Sequence, residues 1–289
     1  MPVGVRPSGS ALEGAIGSGQ PLALARGRTR WWVELLTIAW LGWVYDAITN
    51  LAPLRLHVAL AHARSILSVE RSLHIDPEHA LDRWLAGHHT LGQALSYYYD
   101  NAHFVVTLGL LGFLWWRRAD IYRPLRNSLV LVNVLGFVVF WRFPVAPPRM
   151  LPGFVDVVAS THTFGSWHTG ALASQANQLA AMPSLHIAWA VWSSVVVWRI
   201  TTRVWLRALA AVYPFMTGFA VLATGNHYVL DIVGGLATIA VSLLIVRLLE
   251  AHGSRLAELV TSARRPRSTA TATAYPLSQS CYEVEDRVD

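Results

Sequence analysis

The sequence predicts an all-α fold: a polytopic membrane helical bundle of six transmembrane helices, with one or two amphipathic helices at the interface. Three observations predict it. Of 289 residues, 54% are hydrophobic and only 14% charged, against roughly 25% charged in soluble domains, and the mean hydropathy is +0.39. Apolar stretches of close to the ~20 residues that cross a hydrocarbon core recur along the chain. There are 13 Trp residues, and indole rings favour the boundary between lipid and water. Lipid offers no partner to open backbone groups, so helices are the expected spanning elements.

The spans are expected near residues 31–50, 91–116, 124–142, 183–200, 204–224 and 229–249. They define a membrane domain over 29–251, between tails at 1–28 and 252–289 that are expected to be disordered and cytoplasmic. The N-terminal tail is rich in Gly, Ser and Arg and lacks the early apolar core of a secretory signal, so the first span is expected to stay as an anchor. Residues 54–87 are too polar to span. There His57, Leu60, Ala61, Arg64 and Leu67 recur at near-helical spacing, and Ile75-Asp76-Pro77-Glu78 opens a second short helix. Asp76 is the expected N-cap, with Pro77 at the first helical position. Two amphipathic helices along the interface are predicted, serving as a surface cap or as a substrate gate.

All 23 residues in the Lys+Arg total are Arg. The absence of lysine removes Schiff-base chemistry and lysine phosphate clamps, and leaves anion binding to guanidinium groups, whose planar fork suits phosphate. The net charge of +6 does not point to a nucleic-acid partner, because the arginines flank apolar spans and form no exposed stripe. The positive-inside rule accounts for them. With the N-terminus in the cytoplasm, 17 of the 23 arginines fall on inner segments, leaving Arg55, Arg64, Arg71, Arg83, Arg142 and Arg149 outside. A multi-pass plasma-membrane protein with both termini cytoplasmic follows. The Arg-only, Ala/Leu/Val-rich composition suggests a GC-rich bacterial genome. Cys281 is the sole cysteine, so no disulfide, thiolate nucleophile or zinc cluster can be built within the chain.

Two short runs carry most of the chemistry: Met182-Pro183-Ser184-Leu185-His186 and Gly225-Asn226-His227-Tyr228-Val229-Leu230-Asp231. Both fall on the outer face, and titratable groups beside apolar spans are functional candidates. His227 and Asp231 stand four apart, which on a helix places them on one face about 6 Å apart along the axis. A carboxylate there can take the proton of one ring nitrogen and leave the other basic; the same pair can equally be a polar lock between helices. Pro183 suits the first turn of a helix, whose unpaired N–H groups attract phosphate. Ser184 adds a hydroxyl and His186 a second imidazole. Arg142 and Arg149 flank Phe-Pro-Val-Ala-Pro-Pro where the third span ends, and the prolines stiffen that exit. Asp100 and His103, in the polar run Tyr97–Phe104 of the second span, should face the bundle interior as substrate lining or as a helix–helix lock. Arg117-x5-Arg123-Pro124 reads as a cytoplasmic anchor, and His88, His89, His162 and His168 as solvated loop histidines.

In order and spacing these motifs resemble the type-2 phosphatidic acid phosphatase superfamily, and within it the inositolphosphotransferases related to inositol phosphorylceramide synthase. The family's signatures are K-x6-R-P, P-S-G-H and S-R-x5-H-x3-D. Arg142-x6-Arg149 matches the first with Arg for Lys and Met150 for Pro. Pro183-Ser184-Leu185-His186 matches the second with Leu185 for Gly. His227-x3-Asp231 matches the third, with Val221 where its arginine stands. The resemblance covers about residues 31–249. It implies that His227 attacks phosphorus to form a phosphohistidine, that Asp231 orients it, and that His186 protonates the leaving oxygen and later deprotonates the acceptor. Arg142, Arg149 and the backbone around Ser184 would stabilise the equatorial oxygens. No metal and no cofactor is expected. The implied partners are a membrane lipid substrate and either water or a polar or lipid hydroxyl as acceptor. Lipid phosphatase, phosphotransferase (for example of phosphoinositol) and a non-catalytic lipid-binding or transport bundle all stay open at this point.

Overall fold

The computed structural model describes residues 29–51, 55–161 and 178–264, with the side chains of 29–48, 55–161 and 178–256. Helices stand at all six positions where spans are predicted: α1 (Trp31–Leu51), α4 (His89–Arg117), α5 (Ala119–Arg142), α7 (Leu185–Ile200), α8 (Val204–Ala223) and α9 (Val229–Arg264). Between them lie α2 (Leu56–Leu73), α3 (Glu78–Ala86) and the single turn α6 (Val157–Ser160). By length and composition α5, α8 and α9 are apolar enough to cross a membrane, and α7 is a shorter apolar helix. The expectation of six apolar spans is therefore met by four apolar helices. The other two, α1 and α4, have 21 and 29 residues, but polar groups such as Glu34, Asp46, Asp100 and His103 interrupt them and line an internal cavity.

Two further boundaries differ from expectation. The last helix continues to Arg264, past the expected end near 249 and into the segment expected to be disordered. Residues up to Leu248 form one compact unit and those from Leu249 another. His162, His168, Cys281 and the N-terminal tail lie outside the described residues.

The helix α2 shows why an amphipathic sequence folds beside the spans. Ala59, Ala63, Ile66, Leu67 and Glu70 are its buried residues, a stripe at helical spacing. The helix ends on His74 in the left-handed region at φ 58°. The His74 N–H donates to the Arg71 carbonyl and the Ile75 N–H to that of Glu70, the paired bonds of a Schellman terminus. Asp76 is not the cap of α3. It turns to Arg71 instead, at 3.7 Å, while Pro77 takes helical dihedrals and its carbonyl accepts the Ala80 and Leu81 N–H groups.

The buried face of α2 backs the irregular segments that build the site. Ala59, Ala63, Ile66 and Leu67 pack with Val145, Ala146, Leu151, Leu179, Ala181 and Tyr228 in one apolar cluster. The Ala146 N–H donates to the Ala59 carbonyl, and Val145 exchanges bonds with Leu179 and Ala181. A second cluster, centred on Trp192 of α7, joins α4, α5 and α9 through Leu114, Leu125, Val132 and Ile239. The Trp192 indole N–H donates to the Leu125 carbonyl at 2.9 Å, so this large ring is buried with its one donor satisfied. The third cluster, Leu85, Leu95, Val157, Ala220 and Ala223, fixes α3 and α6 against α4 and α8.

Candidate active site

Local backbone geometry presents His227. Gly225 adopts φ +65°, open to glycine at no steric cost, and the chain turns there so that the Asn226 and His227 N–H groups both reach the Val221 carbonyl. His227 thus precedes α9 rather than lying on it, and Asp231 occupies the helix's first turn. The two meet because the helix start folds back. The Asp231 carboxylate accepts the Tyr228 N–H at 2.9 Å, as the acidic member of a capping box does, and lies 3.3 Å from His227 Nδ1.

The nearer partner of that nitrogen is a backbone group absent from the expectation: the Ala181 carbonyl, at 2.8 Å. A carbonyl only accepts, so in the neutral ring Nδ1 carries the proton and Nε2 the lone pair. His227 lines a cavity of about 610 Å³, whereas Asp231 stands behind it, wholly buried. The pair therefore leaves a lone pair on the far edge of an imidazole whose near edge is held at two points.

His186, in the first turn of α7, lies across from it with ring centroids 5.6 Å apart. Tyr99 stacks on His186 at 4.4 Å and an interplanar angle of 21°, and His103 meets it edge-on at 4.3 Å. His103 Nδ1 pairs in turn with the Tyr99 carbonyl at 3.0 Å. Three α4 positions, Tyr99, Asp100 and His103, thus share the cavity wall with both imidazoles.

Arg149 brings the positive charge. Its backbone N–H donates to the Gly225 carbonyl. Its guanidinium donates to Asn226 and Gln178 and lies 3.3 Å from Asp156. Burial lowers its proton affinity, and the Asp156 and Asp100 carboxylates oppose that loss. Three segments distant in sequence thereby hold one guanidinium beside the residue preceding His227. Arg142 is different. It ends α5 in an exposed position and does not line the cavity; among the described residues Arg149 and Arg126 are the arginines that do.

Ser184 also departs from expectation. It is the N-cap of α7, with Pro183 before the helix rather than in its first turn. It is fully buried, and its N–H donates to the Asp231 carbonyl at 3.0 Å. That bond takes up one of the backbone donors around Ser184 that were expected to face phosphate, and Ser184 does not line the cavity. The close approach has a second witness: a Cβ at Gly235 would lie 2.4 Å from the Ser184 carbonyl. Ser184 is where α7 is stitched to α9. Leu185 sits over Gly136 of α5, where a Cβ would come within 2.7 Å of its Cδ2.

A family profile described as PAP2 superfamily matches residues 64–245. The chain belongs to the PAP2 superfamily. No curated protein and no solved structure matches it. PAP2 membership points to phosphatase or phosphotransferase activity in general, and together with the apolar helices it is consistent with an integral membrane protein. The matched span takes in all three motifs and leaves α1 outside. Within this candidate site, sequence reading passed over Asn226, Gln178, Tyr99 and the Ala181 carbonyl. Asn226 had a visible signal, its place inside the run ending in His227-x3-Asp231; Gln178 and a backbone carbonyl had none.

Behind the site lies a buried acidic group. Glu70 of α2 accepts the Leu230 N–H at 2.6 Å, satisfying an open donor of α9's first turn. Burial pushes its carboxyl up to about 9, with the neighbouring Glu78 adding to the rise and the Leu230 N–H opposing it. Glu78, beside it on α3, and Asp82, which accepts the Val155 N–H, are buried and raised by burial as well. Among the described residues no three His, Cys, Asp or Glu side chains are grouped so as to hold a metal ion.

Proposed function

We propose that this PAP2-superfamily protein is a lipid phosphotransferase of the inositolphosphotransferase-like type, working through a phosphohistidine on His227. His227 Nε2 attacks phosphorus while the bond to the leaving oxygen breaks, and protonated His186 gives that oxygen its proton. In the second half, the acceptor hydroxyl loses its proton to His186 as its oxygen attacks phosphorus and the N–P bond breaks. The imidazolium character that His227 gains is offset by Asp231, a carboxylate held in a low-dielectric setting where such attraction is strong. Arg149 stabilises the equatorial oxygens.

The observation that carries the reading is the pairing of His186 and His227 across one cavity, with Nδ1 of His227 anchored on Ala181 and Asp231. Among the described residues Arg149 is the one guanidinium at this end, which favours a phosphodiester, with one negative charge, over a dianionic phosphomonoester. A diester substrate and a hydroxyl acceptor together make transfer of a phospho-headgroup such as phosphoinositol. The six-helix reading extends to topology: α1, α4, α5, α7, α8 and α9 cross the bilayer, both termini lie in the cytoplasm and the imidazoles open to the extracytoplasmic side. The skew of arginines supports that orientation.

The test is incubation of purified protein with headgroup-labelled phosphatidylinositol, with and without long-chain alcohols or ceramide. Acid-labile, base-stable label on the wild-type protein but not on His227→Ala, together with a labelled lipid product that depends on acceptor, supports the reading. Release of the label only to water counts against transfer, and full turnover by His227→Ala removes the covalent route.

A further inference from the structure

The cavity does not stop at the imidazoles. From Arg149, His186 and His227 it runs between α1, α4 and α5 to a far end formed by Glu34 and Arg126. Along α5 the lining reaches from Phe140 to Arg126, about 21 Å at the helical rise. That exceeds the ~15 Å half-thickness of a hydrocarbon core. Between the ends the wall is mainly apolar, with Leu41, Leu108, Leu111, Leu129 and Phe137, interrupted by Thr37 and Asn133. At the far end Arg126 Nε lies 3.3 Å from Glu34, both side chains being largely buried. On the α1 wall Gly42 faces the cavity, and a Cβ there meets no atom within 4 Å.

We propose that this channel seats one hydrocarbon chain of the lipid whose phosphate meets His227, with the Glu34–Arg126 pair as a floor that limits chain length and Gly42 as the gap that lets the chain pass. The proposal rests on the phosphoryl-transfer reading for the identity of the headgroup. A chain drawn from a bilayer gains little by entering a leucine-lined space, since lipid is equally apolar. The channel therefore adds selection by length. A chain that overruns it must separate a largely buried ion pair, stranding two charges, and a shorter one leaves the space partly unfilled.

The experiment uses the full-length protein in detergent and phosphatidylinositols of graded acyl length, one series carrying a diazirine at the chain terminus. Photolysis should label residues around Glu34, Leu111 and Arg126. Gly42→Trp, which fills the channel eight residues above Glu34, should lower the long-chain to short-chain turnover ratio about tenfold, the scale expected when a chain is forced out of filled space. It should also move the label toward the imidazoles. Val130→Trp plugs the opposite wall and gives the same shift if Gly42→Trp does not fold. Label confined to the outward-facing Trp43 and Val138 surfaces, or an unchanged ratio in both folded plugs, overturns the channel while leaving phosphoryl transfer intact. Label at the floor without turnover of any chain length keeps the channel and sinks the phosphoryl reading instead.

Discussion

At the scale of single residues, the tautomer of His227 decides the chemistry, and the Ala181 carbonyl fixes that tautomer. If His186 is the acid and His227 the nucleophile, their variants separate. His186→Ala should slow turnover of a lipid diester by about 10²–10⁴-fold yet still accept label from an aryl ester, whose leaving group needs no proton; His227→Ala should accept none. Radiolabel trapping under alkaline quench reads both. Glu70 gives a second prediction, on stability. Its folded value near 9 lies above the ordinary 4.5, so the folded state holds the proton more tightly than the unfolded one. Its contribution is complete below about pH 4.5 and is lost as pH climbs through about 9. Thermal melts should fall across that window, and Glu70→Gln, which keeps an acceptor for the Leu230 N–H, should flatten the slope. A wild-type melt that rises with pH over the same range would contradict this. Of the candidate residues, the sequence showed those whose chemistry sits in the side chain. Asn226 and Gln178 escaped notice because their work is to hold Arg149, a relation that appears only once residues 149, 178 and 226 are adjacent.

Among elements, contacts between helices are set by where side chains are missing. Gly235 lets α9 approach the start of α7 so closely that a Cβ would strike the Ser184 carbonyl at 2.4 Å. Backbone cannot swing aside as a side chain can, so Gly235→Ala should destabilise by about 1–3 kcal/mol or more and lower the melting temperature. Gly136→Ala meets only side-chain atoms of Leu185, Cδ2 first and then Cγ, so its cost should be smaller and should shrink further in a Leu185→Ala background. A double-mutant cycle measures that coupling, and strict additivity would mean the two residues do not share the space. This pairing also accounts for a departure from the family motif: Leu185 fills, from α7, the room that Gly136 leaves on α5. The helix positions themselves were readable in advance, because apolar runs near the length that crosses a hydrocarbon core mark them along the chain. Where the reading missed, at α9's continuation to Arg264 and at the capping of α3, an ordinary helix signal or a competing partner (Arg71 for Asp76) had replaced the membrane rule.

For the whole molecule, the family match from residue 64 to 245 marks the part that carries the imidazoles, while α1, ahead of it, walls the long cavity. The proposed orientation makes a direct prediction. An impermeant maleimide should reach the sole cysteine, Cys281, only after cells are opened. In a Cys281→Ser background, Ser72→Cys on the exposed face of α2 should react in intact cells. Labelling of Cys281 in intact cells would invert the topology and put the imidazoles on the cytoplasmic side.

The sequence alone determined what short-range pattern can encode: apolar helices at their places along the chain, a carboxylate four residues from an imidazole, and an arginine-only supply of positive charge. Tertiary structure decided which of those groups meet. It kept Arg149 at the cavity and left Arg142 exposed, spent the Ser184 N–H on α9, and supplied the Ala181 carbonyl as the nearest partner of His227. The physical reason is that a residue's type announces what it can bond, while its partner depends on backbone groups and distant segments that only packing brings within about 3 Å.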